Sequence, residues 1–253
     1  MNEIIQKIIQ VAQNVANDYT YPIFIADENG KPDLIASSVI IEVDGQAYLI
    51  TASHVLKEVL GVGSPFLIGV NTKYVAVEGE FTFSEDKPKD NFDIAFVALD
   101  KSMIESNAIR VLPSHKLFQS SDKKPHILFA HGFPNSKNKQ TKALRKTTAF
   151  RVKAYAYAGC IKTQDIDWEE YDKDPDVHIC MTYGKTSDNN MPTYPKGISG
   201  GGLWVVPHIF KDVNVKLAGV FIEYYKNEKV TFSTDIRHVV GFIKNAQQAV
   251  NSR

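Results

Sequence analysis

The chain has 253 residues, 43% of them hydrophobic and 23% charged, the proportions of a soluble globular protein long enough for one two-barrel domain or two small ones. Lys plus Arg and Asp plus Glu both number 29, so the formal net charge is zero and no global attraction to nucleic acid or anionic membrane follows. Two cysteines, Cys160 and Cys180, are too few for a disulfide framework and point to a reduced, cytoplasmic setting.

From the N-terminus, Ile4, Ile5, Ile8, Ile9, Ala12, Val15 and Ala16 recur at helical spacing between Gln6, Lys7, Gln10, Gln13 and Asn14. This pattern predicts an amphipathic helix over 1–18 that docks on the domain. Its amides interrupt the apolar run and its start is Met1-Asn2-Glu3, unlike a secretory signal, and the sequence contains no apolar stretch of about 20 residues that would span a membrane. Short β-branched and aromatic runs follow at 21–26, 35–43, 46–52, 65–70, 74–77, 80–83 and 93–99, predicting a first all-β unit. Residues 100–124 carry the connection. A second series of strands is expected at 127–130, 147–158, 177–183, 203–206, 217–222 and 229–232, and a closing helix begins near Asp235.

Three short segments carry the chemistry. Thr51-Ala52-Ser53-His54 ends a predicted strand, Asn91-Phe92-Asp93-Ile94-Ala95 opens an apolar one, and Gly197-Ile198-Ser199-Gly200-Gly201 places a serine among glycines. A carboxylate at the mouth of a core strand is costly unless something binds it, and His54 is a suitable partner for Asp93. In the expected arrangement Ser199 attacks a carbonyl, His54 takes its proton, and Asp93 holds the imidazole tautomer. The glycines let the backbone approach a ligand closely, so the amides of Gly197 and Ser199 are the expected oxyanion hole.

On these segments, and on their His, Asp, Ser order, the chain resembles the trypsin/chymotrypsin-like superfamily of serine endopeptidases, and more closely its bacterial stand-alone members. The resemblance covers about residues 20 to 250. It implies an all-β fold of two six-stranded antiparallel β-barrels between an N-terminal and a C-terminal α-helix. The helix spans 1–18, the first barrel 19–112 with His54 and Asp93, the second barrel 113–234 with Ser199, and the last helix 235–253. It further implies a protein or peptide substrate cleaved through an acyl-enzyme, with no cofactor. The position that sets side-chain preference in the family corresponds to Thr193, which does not favour arginine or lysine. The strand Leu217–Tyr224 is the expected pocket wall and peptide-pairing edge, with Ile222, Glu223 and Tyr224 in contact with substrate. Ile198 stands where animal digestive members carry the aspartate that receives a newly cut N-terminus. That activation route is therefore unavailable, and a loop that rests inactive until a substrate or a regulatory protein partner binds is the matching expectation. A catalytically silent peptide-binding module on the same fold is the alternative from another class.

Gly197-Ile198-Ser199-Gly200-Gly201 also satisfies the Gly-x-Ser-x-Gly elbow of α/β-hydrolases, with His131-Gly132-Phe133-Pro134 as an oxyanion loop and Asp212 and His238 as acid and base of an esterase. Such an elbow runs into a helix, whereas Gly202-Leu203-Trp204-Val205-Val206 reads as a strand. The basic run Lys137 to Lys153 and the acidic run Asp165 to Asp176 read as solvated loops and strand faces. Neither carries a nucleic-acid module or a calcium loop. The remaining histidines lack His-x-x-x-His or Cys-x-x-Cys spacing, so no metal site is expected.

Overall fold

The computed structural model describes residues 3–26, 32–84, 92–120, 127–138, 152–162, 164–184, 193–207 and 214–252. Asn91, His126, Lys142, Arg145, Lys146, Arg151, His208 and Asp212, and the expected strand start at Thr147, lie outside them.

The alternating and β-branched runs pair as two antiparallel sheets. The first contains Thr20–Ala26 (β1), Pro32–Val43 (β2), Gln46–Ala52 (β3), Leu67–Val70 (β4), Lys73–Ala76 (β5), Thr82–Phe83 (β6) and Ile94–Ala98 (β7), in the order β5-β4-β1-β2-β3-β7-β6. Asp44 and Gly45, both at positive φ (49° and 82°), make the two-residue turn that sets the β2–β3 register. The second contains Ile127–Gly132 (β8), Tyr155–Gly159 (β9), His178–Thr182 (β10), Gly202–Val206 (β11), Lys216–Tyr225 (β12) and Val230–Asp235 (β13), in the order β10-β13-β12-β11-β8-β9. The fold is thus mostly β with two antiparallel sheets and a helix at each end, consistent with the two-barrel expectation. The first sheet has seven strands, matching the seven runs read from the sequence and one more than the six-stranded barrel that the resemblance implies; the two-residue β6 lies at the outer edge of β7.

Glu3–Asn17 (α1) buries Ile8, Ala12 and Ala16, one face at a spacing of four, against β1, β8, β9 and β11. Ile236–Asn251 (α4) buries Ile236, Val239 and Ile243 against β12, β13 and β2, and Asp235 Oδ1 accepts the Arg237 N–H at its start (2.8 Å). Two further helices, Ser53–Gly61 (α2) and Lys101–Asn107 (α3), were not expected from the sequence. The connection that follows α3 straps the two sheets together. Glu42 N–H donates to Leu112 C=O (2.8 Å) on the first sheet, and Phe118 N–H donates to Leu217 C=O (2.8 Å) on the second.

One contiguous core runs through both sheets, from Leu49 and Ile50 to Trp204, Val220 and Ile243. Among the described residues no helix is long and apolar enough to cross a membrane. The α/β-hydrolase reading is overturned. Ser199 leads into strand β11 rather than a helix, His131 and Gly132 end strand β8, and the sheets are antiparallel throughout.

Candidate functional site

Strand β3 runs directly into α2, which brings His54 to the start of that helix. A helix N-terminus leaves backbone N–H groups without intrahelical partners, and Ala52 supplies no side-chain cap. Asp93 fills that role from the neighbouring strand. Its C=O accepts the Ser53 N–H (2.9 Å) and its Oδ1 accepts the His54 N–H (2.9 Å). Its other oxygen, Oδ2, lies 2.6 Å from His54 Nδ1. A carboxylate is favoured at the positive end of α2, and the same group fixes the ring.

Asp93 itself sits at positive φ (46°), a conformation aspartate tolerates better than most residues. Its neighbours hold it there. Phe92 C=O accepts the Thr234 hydroxyl (2.7 Å), the Phe92 ring meets Phe242 of α4 edge to face (5.5 Å, 82°), and Ile94 N–H donates to Ser84 Oγ (3.0 Å). The closing helix and β13 thereby fix the entrance of β7.

The serine loop is held by the first sheet. Ser37, fully buried on β2, donates its N–H to Ser199 C=O (2.9 Å) and its hydroxyl to Gly197 C=O (2.7 Å), while its Oγ accepts the Phe133 N–H (2.9 Å). Lys196 C=O accepts the Asn135 N–H (2.8 Å), and Ile198 C=O accepts the Gly201 N–H (2.7 Å). In a planar trans peptide the N–H points opposite to the carbonyl, so these bonds turn the Gly197 and Ser199 amides away from Asn135 and Gly201. Neither amide donates to a protein acceptor among the described residues. Gly197 has a φ of 100°, and a Cβ there would overlap Phe133 O (2.6 Å) and Asn135 Oδ1, so glycine is required.

A cleft of about 480 Å³ joins these parts. His54, Lys57 and Asp93 line it from the first unit, and Tyr194 to Lys196, Ser199 and Phe221 to Tyr224 line it from the second. The expected trio therefore meets at one cleft. The Ser199 hydroxyl makes no hydrogen bond to the imidazole among the described residues, a bond that is commonly long before substrate binds. The His54 side chain is half exposed. Burial pushes the imidazole pKa down, but the hydrogen bond and charge of Asp93, with weaker pulls from Glu223 and Glu58, push it up further, and the net direction is upward from 6.5.

Of the expected substrate-contacting residues, Ile222, Glu223 and Tyr224 line the cleft. Thr193 is not among the lining residues, and its C=O accepts the Tyr183 hydroxyl (2.6 Å). The buried Tyr183 ring also packs on Tyr224 (5.0 Å), which in turn meets Tyr194 (5.9 Å). Glu223 Oε2 lies 3.0 Å from Lys173 Nζ, whose side chain is fully buried. This spacing is that of an ion pair, although the angles are outside those of a hydrogen bond. Strand β11 accompanies β12 only as far as Gly202 opposite Val220, so the edge of β12 beyond Phe221 has no strand partner from β11.

Sequence reasoning missed Ser37, Asn135, Lys57 and Lys196. The signal for Ser37 was present, because Ser37-Ser38 interrupts the apolar run Leu34 to Ile41 with hydroxyls that need partners. Among the described residues no three or more His, Cys, Asp or Glu side chains converge in a metal-holding group. His131 is buried with Nε2 2.9 Å from Asn17 Oδ1 and Nδ1 3.1 Å from Thr20 Oγ1, which ties α1 to β8. His238 sits on α4 with Nε2 2.9 Å from Asp176 O.

No family model matches the chain, and no curated protein matches it. Among solved structures, one described as "Aromatic interactions drive the coupled folding and binding of the intrinsically disordered Sesbania mosaic virus VPg protein" superposes with a TM-score of 0.53 at 14% sequence identity, over 89% of this chain and 95% of that chain. At that identity the likeness concerns the fold alone.

Proposed function

We propose that this cleft hydrolyses peptide bonds in proteins, as a serine endopeptidase of the trypsin/chymotrypsin-like type working on protein substrates in the cytoplasm. The observation that carries the reading is the paired grip of Asp93 on His54, beside a serine whose flanking amides have no protein acceptor among the described residues. With Asp93 on Nδ1, the His54 Nε2 is the atom that takes the Ser199 proton as Oγ attacks the scissile carbonyl. The developing oxyanion is met by the Gly197 and Ser199 N–H groups, each such donor being worth about 3 kcal/mol in the transition state. His54 then returns the proton to the leaving amine, and water, activated by the same imidazole, releases the acyl group. An extended substrate pairs with the edge of β12 beyond Phe221, which β11 leaves unpaired.

Ile198 rules out activation through an internal ion pair at that position, and here Ser37 and Asn135 hold the serine loop instead. This arrangement supports a loop with its amides already turned, so a partner protein would act on access to the cleft rather than on loop shape. The test is digestion of a denatured protein such as casein by the wild type and by Ser199→Ala, followed by mass spectrometry. New peptides from the wild type alone support the reading, and none from either leaves a silent peptide-binding module.

A further inference from the structure

The charges in the cleft are unequally partnered. Both of its carboxylates are engaged internally, Asp93 with His54 (2.6 Å) and Glu223 with the buried Lys173 (3.0 Å). Lys196 is arranged differently. Lys57 lies on α2 beyond His54, and Lys196 immediately precedes Gly197; both are exposed and line the cleft. Lys196 enters no ion pair among the described residues. This leaves an ammonium without an ion-pair partner among the described residues close to the serine, in a chain of zero net charge.

The walls beside Lys196 add neutral donors. Tyr194 stands two residues before it, and its ring meets that of Tyr224, which also lines the cleft, with centroids 5.9 Å apart. A lysine and two tyrosines that line the same cleft as the serine suit a carboxylate, whose oxygens only accept hydrogen bonds. A cationic side chain would meet Lys196 and find Glu223 already paired with Lys173.

We propose that the cleft selects an acidic side chain on the residue whose carbonyl Ser199 attacks, with Lys196 as the specificity-determining cation. This rests on the peptidase reading. Lys196 joins its neighbour's oxyanion amide through one peptide bond, so a carboxylate held by its ammonium places the adjoining substrate carbonyl beside Gly197.

The test uses peptidyl diphenyl phosphonates that differ only in carrying a glutamate, glutamine or lysine side chain at the reacting residue. As the Ser199 Oγ–phosphorus bond forms, phenoxide leaves and His54 takes the serine proton. The glutamate reagent is expected to label the wild type about tenfold faster than the glutamine reagent, with the lysine reagent slowest. That ratio should fall towards one in Lys196→Gln, and should shrink in about 0.5 M salt, where the screening length is only a few ångströms. Equal labelling by glutamate and glutamine, or a ratio unchanged in Lys196→Gln, overturns the specificity inference while leaving the peptidase reading intact. Labelling by none of the reagents overturns both.

Discussion

Asp93 grips His54 at two points, with Oδ1 2.9 Å from the backbone N–H and Oδ2 2.6 Å from Nδ1. One carboxylate therefore caps α2 and orients the ring. Asp93→Asn keeps an oxygen for the cap but presents an amide where Nδ1–H needs an acceptor. Turnover is expected to fall by about 10³- to 10⁴-fold with the melting temperature lowered only slightly. Steady-state kinetics and thermal unfolding on the same preparations check both halves, and near-normal turnover would remove Asp93 from the mechanism.

The net upward shift of His54 sets the acid limb of the rate profile. Activity requires the neutral imidazole, so kcat/KM should fall as pH drops through a value above 6.5, the ordinary histidine pKa. A limb centred below 6.5 would contradict the hydrogen-bonded pair. In linkage terms, the raised pKa contributes stability that is present below 6.5 and is lost as pH rises through the folded-state value.

His131 behaves oppositely. Burial lowers its pKa to about 3, so the folded state keeps it neutral while the unfolded chain takes up a proton below about 6.5. Stability should therefore fall with pH between those values, by up to about 1.4 kcal/mol per pH unit from this group. Denaturant titrations across about pH 3 to 7 should show about one proton fewer taken up on unfolding in His131→Gln.

Ser37→Ala removes the hydroxyl that joins Gly197 C=O to Phe133 N–H. Leaving two buried backbone groups short of a partner should cost about 2 kcal/mol of stability. The looser serine loop should lower kcat by about 10²-fold, with a much smaller change in KM. Loss confined to stability would mean that Ser37 does not hold the loop in its working shape.

The pair at the cleft wall is asymmetric. Glu223→Ala strands the fully buried Lys173 ammonium and should cost about 3 kcal/mol, whereas Lys173→Met leaves a partly exposed carboxylate to water and should cost less than about 1 kcal/mol. Chemical denaturation of both variants distinguishes this from an ordinary surface bridge, for which both costs would be small and similar.

Much of this arrangement was legible in the sequence because alternation and motif chemistry are local. Gln46–Ala52 reads as a strand from its pattern and is one, and the His54 and Asp93 segments stand at strand ends where a mouth is expected. Helix α2 is hidden because it is only nine residues long and directly follows a strand, so its buried apolar positions Val55, Leu56 and Val59 are too short a run for the helical period to stand out. For Ser37 the need for a partner was visible but the partner was not. Its partner Gly197 is 160 residues away, and only pairing of the two sheets brings them together. Thr193 faces a buried tyrosine that no local pattern announces.

The gathering of His54, Asp93 and Ser199 into a working nucleophile is tested most directly by reaction of the intact protein with a fluorophosphonate, followed by mass mapping of the adduct. One adduct per chain is expected, on Ser199, absent in Ser199→Ala and strongly slowed in Asp93→Asn. A wild-type protein that stays unlabelled, or an adduct on another residue, would contradict it.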